Sequence, residues 1–114
     1  MALFPRKENS LPEHFERAQD EFLNGDLEDA IRLFKALVRD WTLYRGADSE
    51  WAQVSRHCLG EALIQAKQWS EAEVVFAVLL VDRVRILGPE DPLSISTRRL
   101  YSIAEGHGRP VKFC

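Results

Sequence analysis

The chain has few of the residues and segments that mark secreted or membrane proteins. Its 114 residues include only two cysteines, Cys58 and Cys114, which are too few for a disulfide framework. It contains no run of 18 apolar residues, so the sequence predicts no transmembrane helix and no membrane partner. The N-terminal MALFPRKENS lacks the apolar segment of a secretory signal. We therefore expect a location in the reducing cytoplasm.

Motifs that carry catalysis or cofactor binding are also missing. We find no Gly-rich phosphate loop, no Gly-x-Ser-x-Gly, no His-Glu-x-x-His and no pair of Cys-x-x-Cys. His57 and Cys58 are adjacent, and on a helix they would point about 100° apart, which suits a joint metal site poorly. His107 and Cys114 supply too few ligands at firm spacing for zinc. The sequence thus predicts no enzyme activity, no cofactor and no metal.

Neither positive nor negative charge is in large excess. The net charge is −3, with 15 basic and 18 acidic side chains. Residues 1–80 carry 9 basic and 14 acidic side chains (−5), whereas residues 81–114 carry 6 and 4 (+2). Nucleic-acid binding usually needs a clustered and strongly basic face. The gradient therefore indicates a solvated helical surface and no nucleic-acid partner.

A repeated apolar pattern is what the sequence does contain. Four apolar positions in one stretch recur 42 residues later in another, as in a helical repeat. They are Leu27, Ala30, Phe34 and Leu37, followed by Trp69, Ala72, Phe76 and Leu79. Leu59, Leu63 and Ala66 form a second stripe ahead of the later set, so the pattern predicts a hairpin of two packed helices. Gly60 and Ala72 are small where these two helices must approach closely.

Start and stop signals divide the chain into five helices. Ser10 and Glu13 fit a capping box at the start of the first helix. Asn24-Gly25-Asp26, Arg45-Gly46 and Gly88-Pro89 are the strongest breaks. The signals predict an N-terminal lead-in over residues 1–10, a helical domain over residues 11–105 and a flexible C-terminal tail over residues 106–114. The predicted helices cover residues 11–23, 27–44, 50–66, 70–87 and 92–105.

The repeat resembles the tetratricopeptide repeat (TPR). Leu59-Gly60, the bulky Trp69, and Ala72 and Phe76 stand at the distances of that family, and the joint LGPEDP resembles the subclass of about 42 residues found in kinesin light chains and actinobacterial proteins. The resemblance covers roughly residues 11–109. It implies an all-α fold, a short TPR-like solenoid of about five antiparallel helices. These form two helical hairpins and a C-terminal half repeat.

The resemblance also implies a function and a set of contact residues. A TPR stack uses the first helix of each repeat to line a concave groove, so we expect a non-enzymatic adaptor or scaffold that binds a peptide or a partner protein. The asparagines usual in such grooves are replaced here by Arg56-His57 and Arg98-Arg99. A groove with one apolar and one basic end would suit a peptide with an acidic end. The implied partner-binding residues are Phe15, Gln19, Phe22, His57, Glu61, Ile64, Arg99 and Ile103.

Two alternatives stay open at this point. The tail GHGRPVKFC ends on a free thiol, so the folded part could be a carrier whose Cys114 is modified or read by a partner enzyme. Alternatively, the protein could be a structural homodimer through helices four and five. Helix four is apolar nearly all round over VVFAVLLV, and helix five spreads its apolar residues beyond one stripe, so either helix could dock on a second copy.

Overall fold

Five α-helices make up the part of the chain that the structure describes. The structure, a computed structural model, describes the backbone of residues 3–108 and the side chains of residues 8–107. The helices are α1 (Leu3–Leu23), α2 (Leu27–Arg45), α3 (Glu50–Gln65), α4 (Trp69–Leu87) and α5 (Pro92–Gly108). Each packs against the helix before it, as in a row of helical hairpins. Within these residues there are no strands, and none of the helices combines the length and the apolar character that crossing a membrane requires.

The 42-residue period extends to the helix boundaries. Helix α4 begins and ends one full period after α2, α5 begins one period after α3, and α3 ends one period after α1. The connecting turns repeat as well, because Gly46 and Gly88 both take a positive φ, of 90° and 92°. Glycine tolerates this conformation without strain. The periodicity predicted from four apolar positions therefore extends to these helix boundaries and turns.

The core follows the predicted apolar stripes. Ala30, Phe34 and Leu37 on α2 are buried, as are their counterparts Ala72, Phe76 and Leu79 on α4. Leu59 and Leu63 of α3 are buried in one cluster with Ala30, Phe34, Leu37 and Ala72. The close approach of α3 and α4 is confirmed, because a Cβ built on Gly60 would lie only 2.4 Å from Cζ of Phe76.

The structure confirms only some of the predicted helix starts. Helix α3 begins at residue 50 as predicted, with Ser49 as its N-cap, since the hydroxyl of Ser49 accepts a hydrogen bond from the amide of Ala52. Ser10 is not the N-cap of α1, because that helix begins seven residues earlier and contains Pro12 in its interior. An ion pair between Glu8 and Arg45 of α2 ties this extra length to the neighbouring helix.

The end of α5 also differs from expectation. Gly106 and Gly108 predict a stop after Glu105, yet the helix continues to Gly108. The imidazole of His107 stacks on the indole of Trp69, with ring centroids 4.3 Å apart. This contact with the start of α4 supports a last turn that its glycines disfavour.

Candidate binding groove between α1 and α3

A groove of about 310 Å³ lies between α1 and α3, with α2 beneath it. Its α1 side consists of residues one and two turns apart, which share a face of a helix. Its floor includes the ring of Phe34, which is buried in the core. The lining residues are Glu16, Gln19, Asp20, Phe22 and Leu23 on α1, Phe34 on α2, and Cys58 and Glu61 on α3.

Three of the eight residues implied by the resemblance meet in this groove. Gln19 and Phe22 stand on α1 and face Glu61 on α3. Gln19 and Glu61 are equivalent positions of the repeat, since they are separated by one full period. The groove therefore joins the same face of two successive repeats.

Phe15 and Ile64 take other places. Phe15 is buried, with 7% of its surface exposed, and its ring packs edge-on against Phe34 and Trp51 at 5.8 and 5.4 Å between centroids. Ile64 is half-buried against the same core. Phe15 thus belongs to the interior, and Ile64 offers only part of its side chain to a ligand.

Arg99 and Ile103 lie apart from the groove on α5. With Ile95, Arg98 and Ser102 they line a shallow depression of about 470 Å³ on the exposed side of that helix. Neither residue is among those that line the α1–α3 groove. The eight implied residues therefore do not form one surface.

His57 belongs to a polar cluster between α3, α4 and α5. Its Nδ1 lies 3.3 Å from a guanidinium nitrogen of Arg83, a residue with only 2% of its surface exposed. The same guanidinium donates to Gln53 Oε1 at 3.2 Å and to Thr97 Oγ1 at 3.0 Å. Burial and the charge of Arg83 lower the pKa of His57 to about 4, so the imidazole is neutral at pH 7.

This polar cluster replaces an aromatic one. Trp41 is the counterpart of Arg83 in the first repeat, and it stacks on Trp51 with ring centroids 4.9 Å apart. Phe15 is the counterpart of His57, and the two pack in the same edge-on way against Phe34 and Phe76. Sequence reasoning missed Arg83, although its position one period after Trp41 indicates that this charge is buried.

Basic residues do not form one end of the groove. Arg56 is occupied by Asp82 of α4, at 2.7 Å, and by the carbonyl of Ala47, at 2.8 Å. The groove instead has Glu16, Asp20 and Glu61 at its rim. The expectation of a basic end is therefore wrong for this groove, because the nearby arginine points to another helix.

Thiol and metal chemistry have little support at the groove. Burial, and then the carboxylate of Glu61, raises the pKa of Cys58 to about 11, so its thiol is protonated at neutral pH. Carboxylate oxygens of Glu21, Asp26 and Asp29 come within 4.8 Å of one another at the α1–α2 turn. These groups are largely solvated and lie outside the groove lining. Cys114 falls outside the described residues, so the tail alternative stays a prediction.

One face of α4 is exposed and apolar. Val74, Val78 and Val81 are 63%, 53% and 67% exposed, and they lie one turn apart along the helix. The equivalent positions on α2 are Arg32, Ala36 and Arg39. This face of the helix that the sequence shows to be apolar nearly all round is therefore left uncovered by the described residues. We call these three valines the valine stripe.

Comparison with known protein families, with curated proteins and with solved structures finds no match for this chain.

Proposed function

We propose that this chain is a non-enzymatic protein-interaction module, built as a short TPR-like solenoid, that holds a segment of a partner protein in the α1–α3 groove. The observation that carries the proposal is the convergence of Gln19, Phe22 and Glu61 on one concave site. The repeated helix boundaries support the solenoid, because stacked hairpins of constant length present their first helices on one side. A concave site with an apolar floor and a few polar groups is the usual form of a ligand-binding site.

A photo-crosslinking experiment tests this proposal. Gln19, which is exposed in the groove, is replaced by p-benzoylphenylalanine, and the full-length protein is irradiated in lysate of the host. We expect one partner to be crosslinked at residue 19 and mass spectrometry to locate the crosslink in one short segment of it. Excess of a synthetic peptide with that segment's sequence should suppress the crosslink.

The matched control carries the same photoreactive residue in place of Arg32, on the exposed side of α2. Equal crosslinking from both positions would indicate non-specific collision. A partner captured only when the photoreactive residue replaces Ile103 would move the site to α5 and contradict the groove.

A second candidate function, self-association, is favoured by the valine stripe alone. The same face carries two arginines on α2 and three valines on α4. Charged residues are typical of a solvated surface, whereas an exposed apolar patch is typical of a contact surface. The occupant we expect is the valine stripe of a second copy, in a two-fold symmetric contact that pairs the same surface on both chains.

Light scattering measures this self-association. We expect the full-length protein to have twice its mass of 13.1 kDa at high concentration, and Val78→Glu to restore the single mass by placing two carboxylates in the contact. The melting temperature of the wild type should fall on dilution, and that of the variant should not. Ala36→Glu, the equivalent change on α2, should leave the mass unchanged. A single mass for the wild type at millimolar concentration would eliminate the homodimer.

A further inference from the structure

The charge of the groove is the starting point for a narrower inference, which rests on the function proposed above. Glu16, Asp20 and Glu61 contribute three carboxylates to the rim, and none of the lining residues is lysine or arginine. Like charges gathered in a concave site raise the local negative potential. The site therefore repels acidic ligands before any contact forms.

Glu61 is the half-buried carboxylate of the rim, whereas Glu16 and Asp20 are exposed. Partial burial raises its pKa, and no cation offsets that effect. Its nearest partner is His57, whose Nε2 lies 3.5 Å from a carboxylate oxygen. His57 accepts the Arg83 hydrogen bond at Nδ1, so the neutral ring carries its proton on Nε2, the nitrogen nearer to Glu61. The imidazole is uncharged, so among the residues that the structure describes Glu61 has a dipolar neighbour and no counter-ion.

The floor of the groove complements this acidic rim. Phe22 is half-buried on α1, and the ring of Phe34 is part of the core. Lysine and arginine side chains place their methylene stems on apolar surface while the charged end stays polar. The groove offers an apolar floor for the methylene stem and carboxylates at the rim for the charged end.

We propose that the groove accepts a basic segment of a partner protein, with a lysine or arginine side chain lying across Phe22 and its charged end at Glu61 and Asp20. A neighbouring apolar side chain of the partner fills the space over Phe34. The incoming cation supplies a counter-ion for Glu61, and the apolar contact of its methylene stem adds to the attraction between the charges.

Three blocked peptides that differ at one position test the proposal. They are acetyl-Gly-Leu-Lys-Gly-amide, the same peptide with norleucine for lysine, and the same peptide with glutamate for lysine. Norleucine keeps the methylene stem without the charge. Each is titrated into full-length protein labelled with nitrogen-15, and the amide resonances of α1 and α3 report binding. We expect the lysine peptide to bind about tenfold more tightly than the norleucine peptide.

Two variants assign that preference to Glu61. Glu61→Gln keeps the shape of the side chain and should abolish the tenfold difference. Glu90→Gln removes one charge from the exposed α4–α5 turn and should leave the tenfold preference for the lysine peptide unchanged. The preference should also shrink when salt rises, because the rim is accessible to solvent.

Each other outcome has a distinct meaning. Equal binding of the lysine and norleucine peptides, or tighter binding of the glutamate peptide, overturns the basic segment while leaving a peptide-binding groove intact. No shift of the α1 and α3 amides with any of the three peptides overturns it as well, and the crosslink at residue 19 then decides the proposed function separately. A preference for lysine that survives Glu61→Gln overturns the assignment to this carboxylate.

Discussion

Gly60→Ala should lower the free energy of unfolding by about 2–3 kcal/mol, because overpacking a filled core costs that much. The added methyl would lie 2.4 Å from Cζ and 2.6 Å from Cε2 of Phe76, whose ring is fully buried. Helix α4 holds that ring, so the two helices must separate to accept the methyl. The net loss occurs although alanine is the better helix former by about 1 kcal/mol. Urea unfolding followed by circular dichroism measures it.

The first repeat supplies the control for this prediction. Its equivalent position is Ala18, which is fully buried. Ala18→Gly should cost only about 1 kcal/mol, mainly from helix propensity. Phe76→Leu, which shortens the opposing ring, should relieve part of the cost of Gly60→Ala, with a coupling of about 1 kcal/mol in a double-mutant cycle. If Gly60→Ala were as stable as the wild type, the close approach of α3 and α4 would be refuted.

Arg83→Ala should be the other strongly destabilising substitution, with a loss of about 4 kcal/mol, because it leaves buried acceptors without a donor and truncates a large buried side chain. The change leaves Gln53 Oε1 and His57 Nδ1 without their donor and opens a cavity beside Thr97. Thr97 keeps one hydrogen bond, because its hydroxyl donates to the carbonyl of Leu93 at 2.6 Å. Denaturant unfolding at pH 7 measures the loss.

Arg83→Met separates the charge from the packing. Methionine fills the space of the aliphatic stem and removes the cost of burying a cation, so we expect it to lose less than about 2 kcal/mol. In this variant the pKa of His57, followed by its ring-proton resonance, should rise above about 4 because the charge of Arg83 is gone. It should stay below 6.5 because burial remains the larger cause. Equal losses for Ala and Met would show that hydrogen bonds, and not packing, dominate.

The helical architecture could be predicted from sequence because its signals are local and repeated. The spacing of Phe34 and Phe76, together with Gly46 and Gly88, fixes the helices to within a few residues. The two ends could not be predicted, because distant contacts decide them. Glu8 pairs with Arg45 of the next helix, and His107 stacks on Trp69 of another helix.

The character of the groove was harder to predict than its position. Gln19 and Glu61 follow from the repeat register, since they are equivalent positions. The sign of the charge in the groove depends on where charged side chains point. The sequence predicts a basic end from Arg56 and Arg99. Arg56 instead pairs with Asp82, and Arg99 lies on α5. Periodicity places a residue on a helix face, whereas its partner depends on packing that the repeat pattern does not encode.

The exchange of aromatic for polar residues between the two repeats also has an optical consequence. Trp41 and Trp51 are stacked with only 5° between their planes, so their electronic transitions couple and should give a near-ultraviolet circular dichroism signal specific to the packing of α2 on α3. Trp69 stacks on His107 instead, so its fluorescence should report the contact between α4 and the end of α5. The protein thus contains a separate reporter near each end, and the loosening of α5 can be followed independently of the unfolding of the first repeat.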